Sequence, residues 1–219
     1  MTVQAPAQSQ VNISQVVRNA VQFNARRWRN RPMNSDLMPQ AVGDLFRLLD
    51  QRGIDYVLVG GIALLSYVEG RNTEDIDLIV AAASLDKLPE IRITSRDMYF
   101  ARGQLDGLQI DFLLTSNPLF ERVRRQHVAV QHFGERDVPT ATVEGLLLLK
   151  LYALPSLYRE GNFARVGLYE NDVATLLHYY EPDKKAVLHE LAAYLSDSNL
   201  AEVRSILAEI ELRIQRFRG

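Results

Sequence analysis

The sequence predicts an α/β (α+β) protein, with a small mixed sheet flanked by helices and a helical C-terminal part. Three observations predict it. Short apolar runs bounded by turn residues occupy the middle of the chain, from Ile54 to Phe133. Apolar residues at helical spacing precede them, at Val42, Leu45, Phe46 and Leu49, and after Pro139 helical spacing takes over again. No internal repeat or low-complexity tract interrupts this order, so a layered core followed by helices is the economical arrangement.

At the N-terminus Val16, Val17, Ala20, Val21 and Phe23 fall on one helical face, and that helix fades into an arginine-rich stretch containing Pro32. Residues 11–34 hold no acidic side chain, while Arg18, Arg26, Arg27, Arg29 and Arg31 surround Trp28. A basic N-terminal helix and arm over residues 1–34 is therefore expected, suited to an anionic partner. Trp28 is expected to help pack that helix onto the core. A core over 35–139 and a helical region over 140–219 complete the expected division.

The core opens with the helix through Leu49, for which Gly53 supplies a C-terminal stop. Residues 54–59 read as a buried strand ending at Gly60-Gly61, with a helix over 62–68. Asp75–Val80 reads as a second strand, and its period of two puts Asp75 and Asp77 on one face and Ile76 and Leu78 on the other. Residues 97–102 and Leu108–Leu114 flank Asp106-Gly107, a dipeptide suited to a tight hairpin, which places Asp111 on a strand antiparallel to its predecessor. Residues 127–133 add an edge strand. Thr142 is a good N-cap for a helix through Leu154, with further helices near 170–180, 184–195 and 200–217.

Composition narrows the chemistry. A chain of 219 residues can bury a core without covalent staples, and none are available, because there is no cysteine. Disulfides, thiolate zinc sites and cysteine nucleophiles are excluded, so oxygen ligands lead. The formal net charge is −2 and the pI about 6.1, which argues against nonspecific coating of nucleic acid. No apolar run approaches the roughly 20 residues of a spanning helix. The first ten residues do not read as a secretory signal, so the expectation is a cytoplasmic protein with no membrane partner.

Two carboxylates on one strand face and a third on a neighbouring strand suit a hard divalent cation, Mg²⁺ or Mn²⁺, which prefers oxygen ligands. Asp75, Asp77 and Asp111 are the candidates. Glycines at a strand-to-helix turn let a phosphate approach the backbone, which adds Gly60 and Gly61 as candidate nucleotide-binding residues. His127, His132, His178 and His189 lack metal-like spacing, and Ser66 has no nucleophile elbow around it.

Read together, Gly60-Gly61-Ile62-Ala63, Arg71-Asn72-Thr73-Glu74-Asp75-Ile76-Asp77-Leu78 and Ile110-Asp111-Phe112 resemble the nucleotidyltransferase superfamily that includes DNA polymerase beta. Within it, the Gly-Gly-x-Ala and Arg-x-Thr-x-Asp-Ile-Asp-Leu strings look most like the bacterial group containing the AbiE-type abortive-infection toxins. The resemblance implies transfer of a nucleoside monophosphate from a nucleoside triphosphate, such as ATP, to an acceptor hydroxyl. It implies metal at Asp75, Asp77 and Asp111, and triphosphate contacts at Gly60, Gly61, Arg71, Thr73, Lys150 and Asp172. Lys150 reads equally as a surface lysine, and Arg71 pairs with either Asp75 or the phosphates. Asn171 stands where the toxin-like pattern has a lysine, and Thr175 where it has a further acid. A toxin-like protein would act on RNA or protein and have a cognate antitoxin, and an antibiotic-modifying enzyme would take a small hydroxylated acceptor. A silent module would bind a nucleotide or partner without turnover.

Overall fold

A computed structural model describes residues 11–23, 38–69, 73–134 and 136–218. Trp28, Arg26, Arg27, Arg29, Arg31, the expected linker end at Asn34 or Ser35, and Arg71 lie outside the described residues. The chain forms two compact units, one running up to Ala141 and the other starting at Thr142.

The first unit is a mixed α/β layer. Its elements are α1 (Ile13–Phe23), α2 (Met38–Gln51), β1 (Tyr56–Val59), α3 (Gly60–Leu64), β2 (Asp75–Val80), a 3₁₀ turn (Ala82–Lys87), β3 (Arg92–Arg96), β4 (Phe100–Leu105), β5 (Leu108–Leu114), α4 (Pro118–Gln126), β6 (Val128–Phe133) and β7 (Arg136–Ala141). The seven strands form one sheet in the order β3-β4-β5-β2-β1-β7-β6. β2 runs antiparallel to β1 and parallel to β5, whereas β4 and β5 form an antiparallel hairpin.

The period-two reading of the central strands holds. On β5, Leu108, Ile110, Phe112 and Leu114 are buried, and the intervening residues are half-buried. Ile76 and Leu78 are fully buried, while Asp75 and Asp77 sit on the opposite, more open face. α2 covers the apolar side with Leu45, Phe46 and Leu49, and the Phe46 ring lies 5.8 Å from that of Tyr56. α1 packs on α2 through buried Ile13, Val17 and Ala20. Burial of such side chains contributes about 1.5–3 kcal/mol each, more than any surface ion pair here.

The Asp106-Gly107 turn has positive φ at both residues, 47° and 86°. That is the type I′ geometry whose twist matches the flanking strands. A two-residue turn leaves no freedom of register: Leu105 faces Leu108, Gln104 faces Gln109 and Arg102 faces Asp111.

Several elements differ from expectation, among them β4, which runs over Phe100–Leu105 where a strand over 97–102 was expected. The helix after Gly60-Gly61 ends at Leu64 and continues as turns rather than reaching residue 68. β3 was not expected, because all five of its residues are exposed and it carries no apolar alternation. Such a polar strand suits an edge, where charge discourages pairing with other chains. α4 was also missed, although Asn117 caps it by accepting from the Leu119 N–H at 2.9 Å and Pro118 occupies its first turn. Pro139, after which helical spacing was expected to take over, lies inside β7, a strand the sequence reading did not include. β7 borders β1 only where Leu58 faces Thr140, one residue beyond the proline, so the missing donor interrupts little of that ladder. β6 is the edge strand expected over 127–133.

The second unit is helical: α5 (Val143–Arg159), α6 (Phe163–Tyr180), α7 (Lys184–Leu191) and α8 (Asp197–Arg218). Thr142 caps α5 as expected, its Oγ1 accepting from the Gly145 N–H at 3.3 Å. α5 is buried nearly all round, with Leu146, Leu147, Leu148, Leu151 and Leu154 almost fully covered. A helix apolar on every side belongs in the centre of a bundle, and α6, α7 and α8 all touch it.

Candidate metal centre

The sheet register assembles the site. Val59, Asp77, Asp111 and Arg102 lie side by side across β1, β2, β5 and β4, and Asp75 lies beside Gln109. One carboxylate oxygen each from Asp75, Asp77 and Asp111 falls within 4.8 Å of the others, and all three side chains are half-buried. The expected convergence is therefore present, and it follows from two facts. Residues 75 and 77 share a face by alternation, and the parallel pairing of β2 with β5 brings residue 111 level with residue 77.

The glycines open the space for it. Gly60 has a φ of +67°, and a Cβ there would lie 1.9 Å from Asp77 Oδ2. A Cβ on Gly61 would meet Thr73 Cβ and Oγ1 at 2.8 Å. Thr73 Oγ1 in turn donates to Asp75 Oδ1 at 2.8 Å, fixing that carboxylate. Gly60 and Gly61 thus have a reason in the protein itself: the backbone turns against the site side chains at contact distance. Gly60→Ala is expected to cost about 1–3 kcal/mol through left-handed backbone strain, and to push the Asp77 carboxylate out of the cluster. Urea denaturation and divalent-cation calorimetry would read both effects.

Two contributors were not anticipated. Arg102 clamps Asp111 through two bonds, Nε to Oδ1 and Nη2 to Oδ2, both 2.7 Å. Its guanidinium is held above its ordinary value by the hydrogen bond to Asp111 and by the Asp111, Asp75 and Asp77 charges, against a lowering from partial burial. Gln109 makes longer contacts, from Nε2 to Asp75 Oδ2 at 3.5 Å and to Asp111 Oδ1 at 3.4 Å. The signal for Arg102 was available, because a two-residue turn at 106–107 makes residue 102 the partner of residue 111.

The donor set fits a hard cation. Three carboxylates with no nitrogen or sulfur ligand suit Mg²⁺ or Mn²⁺. Clustered carboxylates also repel one another until a cation or basic group balances them.

Lys150 and Asp172, expected at the phosphates, are paired with each other inside the helical unit. Lys150 Nζ lies 2.7 Å from Asp172 Oδ2, with side-chain exposures of 5% and 3%, and 4.5 Å from the Tyr169 ring centroid. Lys150 is therefore not the surface lysine that one reading of the sequence allowed.

No protein-family model matches the chain, and comparison with curated proteins gave no match. Among solved structures, the solution structure of the antibiotic-resistance factor ANT(2'')-Ia is similar at 13% identity and a TM-score of 0.47, over 82% of this chain and 95% of that one. The crystal structure of ANT(2'')-Ia with adenylyl-2''-tobramycin gives 13% identity and a TM-score of 0.45, over 78% and 95%. An antigenic nucleotidyltransferase-like protein from Paracoccidioides brasiliensis gives 17% identity and a TM-score of 0.47, over 79% and 94%. Among the described residues, no helix is long and apolar enough to cross a membrane.

Proposed function

We propose that the protein is a metal-dependent nucleotidyltransferase, moving a nucleoside monophosphate from a nucleoside triphosphate to an acceptor hydroxyl with release of pyrophosphate. The observation that carries this reading is the convergence of Asp75, Asp77 and Asp111 against Gly60. It acquires its meaning from the motif resemblance stated above.

In this reading Asp75 and Asp77 hold the cation that meets the triphosphate, and Asp111 lies nearest the acceptor. Bound Mg²⁺ or Mn²⁺ supplies charge neutralisation at the phosphoryl oxygens and lowers the pKa of the acceptor hydroxyl. Thr73 fixes Asp75 Oδ1, while among the described residues Oδ2 carries only the longer 3.5 Å contact from Gln109 Nε2, a weak one that a cation can displace. Gly60 keeps the Asp77 carboxylate close to the backbone, so its direction is preset rather than selected at binding.

The test is incubation of the full chain with Mg²⁺ or Mn²⁺, each labelled nucleoside triphosphate, and separate acceptors: total RNA, the protein itself or a small aminoglycoside. Label is expected in one acceptor only, with metal-dependent pyrophosphate release. RNA or protein labelling would favour the toxin-like variant and a cognate antitoxin, and aminoglycoside labelling the antibiotic-modifying one. Metal and triphosphate binding without transfer to any acceptor would leave a silent binding module.

A further inference from the structure

The cluster holds its own cation. Three carboxylates bring three negative charges, and the Arg102 guanidinium, bonded to both oxygens of Asp111, returns one positive charge. Two negative charges remain, which one divalent cation balances. The pair is geometrically good, because a bidentate guanidinium and carboxylate match in shape. It is also accessible: the Arg102 side chain is 48% exposed while Asp111 is 14% exposed, so the arginine reaches in from the solvent side. An ion pair open to water on one side yields to a competing ligand far more easily than a buried one.

We infer that Arg102 competes with a second divalent cation for Asp111, so that the free protein takes one cation at Asp75 and Asp77 and the second only by displacing the guanidinium. This rests on the metal-site reading above. Arg102 is then a positioning residue that holds Asp111 aimed along the sheet while the second position is empty. Its own side chain has solvent to retreat into. Glutamine at residue 109, rather than a further acid, fits the same balance, since its neutral amide touches Asp75 and Asp111 without adding charge.

The experiment is Mn²⁺ titration of the full chain without nucleotide, followed by calorimetry and by the electron paramagnetic resonance of free Mn²⁺. One Mn²⁺ per wild-type chain is expected, lost in Asp77→Asn. Arg102→Gln is expected to admit a second Mn²⁺, or to tighten overall binding by about ten- to a hundredfold, since one positive charge a few ångströms away is removed. Placing Arg102→Gln in an Asp111→Asn background should abolish that gain, which a general change in field would not do. Arg102→Lys keeps the charge but not the fork and should fall between, providing a reading if the glutamine variant folds poorly. Asp77-dependent binding that Arg102→Gln leaves at wild-type affinity and stoichiometry would overturn the inference while leaving the metal site standing. A gain that persists without the Asp111 carboxylate would also overturn it. Absence of Asp77-dependent binding in the wild type would remove the metal site and the inference together.

Discussion

Asp77→Asn is expected to remove divalent-cation binding and to reduce nucleotidyl transfer by about a thousandfold or more, roughly 4 kcal/mol of barrier, with the fold intact. Asn keeps the shape of the side chain, and β2 is held by the buried Ile76, Leu78, Ile79 and Val80 rather than by this carboxylate. Neutralising one member of the cluster even relieves repulsion in the metal-free protein. Two like charges about 4 Å apart interact by at most about 4 kcal/mol at an effective dielectric of 20, and Arg102 already offsets part of this. The thermal midpoint without metal should therefore hold or rise slightly, while stabilisation by added Mn²⁺ disappears. Glu74→Gln is the control, removing an equal charge from the neighbourhood but not from the three converging carboxylates. If Asp77→Asn binds Mn²⁺ as the wild type does, or Glu74→Gln loses binding equally, the ligand assignment is wrong.

What could be read from the sequence was whatever has a short period or a fixed local geometry. Asp75 and Asp77 follow from strand alternation, the 106–107 hairpin from a dipeptide that tolerates positive φ, and the α5 cap from Thr142. The elements missed are those whose signals are weak or conflicting. β3 has no apolar face because it is an exposed edge, and β7 contains a proline that would ordinarily end a strand. The candidate site shows the same division. Its three acids sit in recognisable strings, whereas Arg102 sits in no string and matters only through register across the hairpin.

At Gly60-Gly61 the structure adds a reason for glycine that the sequence does not show. The pair was singled out because glycine lets a phosphate near the backbone. The structure shows that the backbone is already approached by protein atoms, Asp77 at Gly60 and Thr73 at Gly61. A side chain at either position would disturb the carboxylates before any ligand arrived. The two reasons are compatible, since the space that admits Asp77 lies at the strand end where the chain turns into α3.

Lys150→Ala is expected to destabilise the protein by about 3–5 kcal/mol, because it leaves Asp172 buried without the ammonium that faces it. A surface lysine would cost little to remove, so it is the burial of the pair that sets the size of this effect. Pairing between residues 150 and 172 depends on how α5 and α6 pack, which no local pattern records. The ammonium also lies over the Tyr169 ring, a contact worth about 0.5–2 kcal/mol. Against a typical stability of about 5–15 kcal/mol, the loss is large enough to be seen in a urea midpoint. Asp172→Asn should cost a comparable amount, since it removes the countercharge from the buried lysine. The informative variant is the double substitution Lys150→Met with Asp172→Leu, which replaces the pair by apolar side chains and should be close to neutral. That variant also separates the two roles these residues could have. If it folds and binds nucleoside triphosphate at wild-type affinity, the pair serves the bundle alone. If it folds but loses triphosphate affinity by one to three orders of magnitude, about 1.4 kcal/mol per order, the phosphate role expected from the sequence stands. An unchanged urea midpoint in Lys150→Ala would sink the structural assignment.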